Sequence, residues 1–220
     1  MSYTPLDDTY RDNWDSFLEL QGPSRAIVLI DPAIFEVDLK VKSDDEQTND
    51  KPLASLVFYH DNTPYRDESH LETLTELTEH STMEFKFAEI INAVEATIQV
   101  RVIQGSRDFR ARFFIRTACI DEDFVLLNSK DRNVIIADDD DGLILFQRSV
   151  AVVEERGQLI LGVDAVHEVE KDGGATATPV TMEYPFTPRT ALRSKGGLTL
   201  DFARWILQLH GRCFRSFVHG

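Results

Sequence analysis

Two cysteines in 220 residues are too few for a disulfide framework. Cys119 and Cys213 are expected as reduced thiols, with Cys119 a small buried hydrophobe at the end of a core strand. No apolar run approaches the length of a membrane span. The opening residues, Met1-Ser-Tyr-Thr-Pro-Leu-Asp-Asp8, lack the basic-then-apolar order of a signal peptide. These absences predict a cytoplasmic or nuclear protein. Positive charge is scarce: 23 Lys and Arg stand against 38 Asp and Glu, a formal net charge of −15. The average field of such a chain repels a phosphate backbone, so the expected partner is a protein and not a nucleic acid. Gly22, Gly105 and Gly157 stand singly in turns, and no glycine-rich phosphate loop occurs. His60, His70, His80 and His167 have neither an HExxH pattern nor the His/Cys spacing of a zinc site, and are expected on surfaces or loops. No metal and no cofactor is expected.

What the chain has in quantity is alternation. From Ser81 to Cys119 three strands follow one another. Met83, Phe85 and Phe87 alternate with Glu84 and Lys86; Val94, Ala96, Ile98, Val100 and Val102 alternate with Glu95, Thr97, Gln99 and Arg101. After the turn Gln104–Asp108, Phe109, Ala111, Phe113, Ile115 and Thr117 alternate with Arg110, Arg112, Phe114 and Arg116. Successive strand side chains point to opposite faces, so the pattern predicts an antiparallel sheet with one apolar and one charged face. Phe35, Val37, Leu39 and Val41 repeat the motif, and Arg25 to Ile30 is expected as a buried strand. Turn signals recur every eight to twelve residues. The expected fold is all-β: an antiparallel β-sandwich of about 8–10 strands. Each inward Val, Leu, Ile or Phe would contribute roughly 1.5–3 kcal/mol on burial.

Two helices are expected beside the strands. Ser69 and Glu72 match a capping box, and Leu71, Leu74 and Leu77 recur at helical spacing, which predicts a short helix near 70–79. Trp205, Ile206 and Leu209 suit a C-terminal helix near 202–209. The expected organisation is an N-terminal extension at 1–24, part of the domain edge, a β-sandwich at 25–200, and a divergent tail at 201–220.

The runs Gly22–Pro32, Phe35–Lys42, Val94–Ser106 and Arg148–Glu154 resemble a cereal-expanded plant family built on one domain of unknown function. The resemblance spans roughly Arg11 to Phe202. It implies a β-rich domain that occurs alone or, in some proteins, beside a ribosome-inactivating rRNA N-glycosidase domain. It transfers no catalytic residue. Relatives carry a further strand before the region matching Arg11-Asp-Asn13. They also end on an alternating strand after the match to Gly196–Leu200, where this chain has its helix-like stretch. A truncated or divergent member is therefore expected.

Two groups of residues carry candidate chemistry. Arg110, Arg112 and Arg116 share a strand face with Phe114, and Arg101 is expected across the hairpin. Guanidiniums beside an aromatic ring can grip a phosphate or an acidic partner; pairing with outward Glu84, Glu95 or other strand carboxylates is the plainer alternative. The run Asp138, Asp139, Asp140, Asp141, with Asp121 and Asp123, has the charge for calcium but not the EF-hand register, and a solvated turn is the plainer alternative. Asp201-Phe-Ala-Arg-Trp205 faintly echoes the Glu-x-x-Arg helix of rRNA N-glycosidases and is taken as coincidence. No catalytic residue is assigned. The predicted function is a non-catalytic protein-interaction module linked to stress or defence. The alternatives are a component related to ribosome-inactivating proteins and, more weakly, a calcium- or phospholipid-binding sandwich.

Overall fold

The computed structural model describes residues 2–5, 18, 25–29, 31–43, 49–61, 67–130, 132–137, 141–171, 174–187 and 193–213. Among these the chain is all-β, with thirteen strands, no helix, and antiparallel pairing in every ladder. It falls into two compact units.

The first unit comprises Met1–Glu19 and Ile27–Glu89. It holds β1 (Ser2–Pro5), β2 (Ala33–Val41), β3 (Lys51–His60), β4 (His70–Leu77) and β5 (Ser81–Glu89). They form a sheet of order β1-β5-β4 and a two-stranded sheet β2-β3. Alternation in β2 and β3 turns Phe35, Val37, Leu39, Ala54, Leu56 and Phe58 onto Met83 and Phe85 of β5. The Phe35 and Phe58 rings stack in parallel at 4.7 Å, and Phe58 meets Phe85 at 4.6 Å. The helix expected near 70–79 is instead β4. Three-residue leucine spacing fits a helix, yet pairing with β5 imposes period two, so Leu74 packs on the core while Leu77 stands 79% exposed. Thr78 and Ser81 close the β4–β5 turn through Thr78 N to Ser81 O (2.8 Å) and Ser81 N to Thr78 Oγ1 (3.1 Å). Of Arg25 to Ile30, expected as a buried strand, residues 25–29 are irregular, with Ile27 61% exposed, and Ile30 lies outside the described residues.

The second unit comprises Leu20–Ala26 and Ile90–Gly220. Its strands are β6 (Ala93–Gly105), β7 (Arg110–Thr117), β8 (Ile120–Asn128), β9 (Val150–Glu154), β10 (Leu159–Lys171), β11 (Gly174–Phe186), β12 (Ser194–Thr199) and β13 (Ala203–Cys213). They form two four-stranded sheets, β12-β13-β6-β9 and β11-β10-β7-β8. Both sheets turn apolar rows into one core: Ile98, Val100, Trp205 and Leu207 from the first, Phe113, Ile115, Leu161 and Val163 from the second. This is the expected sandwich, and Phe113 and Trp205 meet across it at 5.5 Å. Pro179 and Pro185 both lie within β11, which is tolerated because β11 is an edge strand.

Two expectations are corrected here. The stretch near 202–209 is not a helix but part of β13, an inner strand of its sheet. Ala203, Trp205, Leu207 and Leu209 are all buried, a strict period of two. The chain therefore carries an alternating strand where a helix-like stretch was expected. And β5, β6 and β7 do not share a sheet; they belong to three different ones. At the end of β6, Gly105 adopts φ +98° and Ser106 N donates to Phe202 O at 2.9 Å, which turns the chain out of one layer of the sandwich and into the other.

Candidate functional site

Strand β7 presents two unlike faces. Ala111, Phe113 and Ile115 enter the core, which forces Arg110, Arg112, Phe114 and Arg116 to the outer face of β11-β10-β7-β8. Phe114 is nonetheless only 3% exposed. Its cross-strand partner is Gly162 of β10, and a Cβ there would lie 2.1 Å from Phe114 Cζ, so the ring lies over bare backbone. Above it sits the Arg112 guanidinium, 4.6 Å from the ring centroid, with that of Arg116 at 5.8 Å. Gly162, Phe114 and Arg112 thus form a stack rising from the sheet.

Carboxylates of the flanking strands lock the arginines in place. Asp123 of β8 bridges two of them, accepting from Arg112 Nη2 at 3.1 Å and from Arg116 Nη2 at 2.7 Å. Asp164, opposite Arg112 on β10, accepts from Arg112 Nη1 at 3.2 Å and from the Thr181 hydroxyl at 2.8 Å. Arg116 also reaches Glu183 (3.6 Å) and Asp121 (3.8 Å), and Arg110 pairs with Glu168. Hydrogen bonding to Asp123 and the charges of Asp123, Glu183 and Asp121 push the Arg116 pKa above its already high ordinary value. The stripe is a fixed lattice of alternating charge.

Arg101 is not part of it. It lies on β6, in the other sheet, where it pairs with Ile206 and bonds Asp141. Asp138, Asp139 and Asp140 lie outside the described residues; Asp141 is exposed. Asp121 and Asp123, grouped with that run in the sequence, are committed to the arginines of β7. The carboxylates expected to pair the stripe are elsewhere: Glu84 is on β5 of the first unit, and Glu95, 4% exposed, accepts from Ala26 N at 2.7 Å and meets Arg25 at 3.5 Å. Asp164 was legible as an outward residue from its alternation with Val163 and Ala165. That it faces Arg112, 52 residues away, depends on strand register.

A model of the family described as "Domain of unknown function (DUF6598)" matches residues 8–208. The chain belongs to this family. No curated protein and no solved structure matches it. The region shared with the domain of unknown function contains the whole arginine stripe and each of its carboxylate partners.

The domain also holds a second polar cluster, in the first unit, that motif spacing did not reveal. His60 Nε2 lies 2.5 Å from Glu89 Oε1, and His70 Nε2 lies 3.6 Å from Glu89 Oε2 and 3.4 Å from Glu72. The His60 ring stands edge-on against Phe87 at 4.6 Å. Both histidines are largely covered by strands instead of lying free on loops. Among the described residues no group of three His, Cys, Asp or Glu is arranged to hold a metal ion. Cys119 is exposed, against expectation, because it occupies the turn between β7 and β8, and Thr117 Oγ1 lies 3.2 Å from its sulfur.

The stack offers a direct test of how the stripe is held. Gly162→Ala is expected to drive Phe114 off the β10 backbone and destabilise the protein by about 1–3 kcal/mol, the range of an overpacked site. Urea denaturation measures it; an unchanged midpoint would show that the ring does not depend on the missing Cβ.

Proposed function

We propose that this chain is a non-catalytic interaction module that binds another protein through the outer face of β11-β10-β7-β8. The observation that carries this reading is the prearranged Arg110–Arg112–Phe114–Arg116 stripe. Its guanidiniums are held by Asp123, Asp164, Glu168 and Glu183, so little rotamer freedom remains to be lost on binding. Arginine is among the residues that most often dominate binding energy at interfaces, and Phe114, covered by Arg112, supports the stripe from beneath. The segment that echoes an N-glycosidase helix supports the same choice: Asp201 and Arg204 are exposed beside and on a strand, and Trp205 is in the core.

Affinity capture with the intact chain and with Arg110→Ala/Arg112→Ala tests the proposal. The double variant is expected to recover its specific partner about tenfold less well. Its melting temperature is expected to stay within about 2–4 °C of the parent, because the ion pairs it loses are partly exposed. Equal recovery by both proteins would sink the assignment of this face.

A further inference from the structure

Arg148 differs from the arginines of the stripe. It lies where the chain runs beside β6 before β9 begins. Val102 N donates to Gly142 O (2.8 Å), Ile144 N to Val100 O (2.9 Å) and Ile98 N to Ser149 O (2.7 Å). Arg148 N itself donates to Leu126 O of β8 at 3.1 Å. The residue therefore sits at the seam between the two sheets of the second unit, bonded to β8 on one side and followed by a residue bonded to β6 on the other.

Its side chain is half-buried and meets no acceptor among the described residues. Nε is sealed from solvent with no hydrogen-bond partner. Burial pushes its pKa down, and no neighbouring acid pushes it back. Arg101, Arg110, Arg112 and Arg116 each meet a carboxylate. Although the chain has fifteen more acidic than basic side chains, none among the described residues pairs with this partly desolvated cation. Such a charge is costly, and a buried polar atom without a partner calls for an explanation, an absent ion among them. A guanidinium stays protonated under all ordinary conditions, so the deficit cannot be removed by titration.

We propose that Arg148 is the receptor for a small oxyanion, a carboxylate or a phosphate, held on the Nη edge of its guanidinium at the seam between the two sheets. Because Nε is sealed, the Nη pair is the edge a ligand meets, and two oxygens of a planar or tetrahedral anion match its spacing. Bound there, the anion supplies the charge that the fold omits.

Inorganic phosphate and acetate are the probes, each against sodium chloride at matched ionic strength. Thermal unfolding of the full chain is followed by the fluorescence of Trp205, in the same unit as Arg148, in a Trp14→Phe background. Either anion, several-fold above its Kd, is expected to raise Tm by about 2–4 °C. The larger of the two shifts identifies the preferred class. Arg148→Met, which fills similar volume without charge, is expected to melt at or above the parent temperature without added anion and to lose the anion-dependent rise. Arg148→Lys is expected to keep part of it. The site is overturned if neither anion raises the parent Tm, if both proteins rise equally, or if Arg148→Met melts below the parent, which would make Arg148 a structural cation. None of these outcomes depends on the face proposed above for protein binding.

Discussion

Trp205→Ala is expected to be among the most damaging single substitutions in the chain, costing about 3–5 kcal/mol. Trp205 is fully buried, on an inner strand, and lies 5.1 Å from Phe109, 5.5 Å from Phe113 and 6.3 Å from Phe202, ring centre to ring centre. Truncation removes the ring that joins the two sheets and leaves a cavity among aromatic neighbours that cannot collapse without moving strands. That cost is comparable to a large part of the stability of an ordinary domain, so the second unit is expected to lose its cooperative transition near physiological temperature. Trp205→Phe separates shape from chemistry. The indole Nε1 is buried with no acceptor among the described residues, so phenylalanine removes an unsatisfied donor while keeping an aromatic ring, and its cost is expected to be well below that of alanine. Urea denaturation followed by far-ultraviolet circular dichroism distinguishes the two. A loss under about 1 kcal/mol for alanine would mean that Trp205 is not the centre of this core.

Gly105→Ala is expected to cost about 2–4 kcal/mol, although it adds one methyl group. The backbone there has φ +98°, a conformation that L-residues adopt only under strain. A Cβ would also stand 2.3 Å from Phe202 O and 2.7 Å from the Ala203 Cα, and both are backbone atoms that no rotamer change can move. The effect belongs to the place where the chain leaves β6 for the facing sheet, so the expected damage extends to the pairing of β6 with the start of β13. Gly197→Ala is the matched control: the added Cβ would meet Trp205 O at an ordinary 3.6 Å, and its φ is not positive. Gly197→Ala is expected to shift the denaturation midpoint little in either direction, while Gly105→Ala lowers it clearly. Equal midpoints would remove the strain at this corner.

The two expected helices that are strands in the structure share one physical cause. Leu71, Leu74 and Leu77 are three apart, and so are Ile206 and Leu209, a spacing that fits a helix and that a strand divides between its two faces. Thr73 and Thr75, and the row Ala203, Trp205, Leu207, Leu209, carry the strand period in the same residues. What decides between them is a neighbour: β5 beside β4, and β6 and β12 beside β13. β5 and β6 are legible as strands in the sequence, but their pairing with β4 and β13 is not, and backbone hydrogen bonds across those pairings outweigh the weak local preference.

The candidate site divides along the same line. That Arg110, Arg112, Phe114 and Arg116 share an outward face follows from period two within a single strand, because the core takes the residues between them. That Phe114 is covered, that Asp123 and Asp164 hold Arg112, and that Arg101 stands in another sheet all depend on which strands are neighbours and in what register. Local alternation determines which way a side chain faces; what it faces is set by contacts between segments many residues apart, and these exist only once the sheets have assembled.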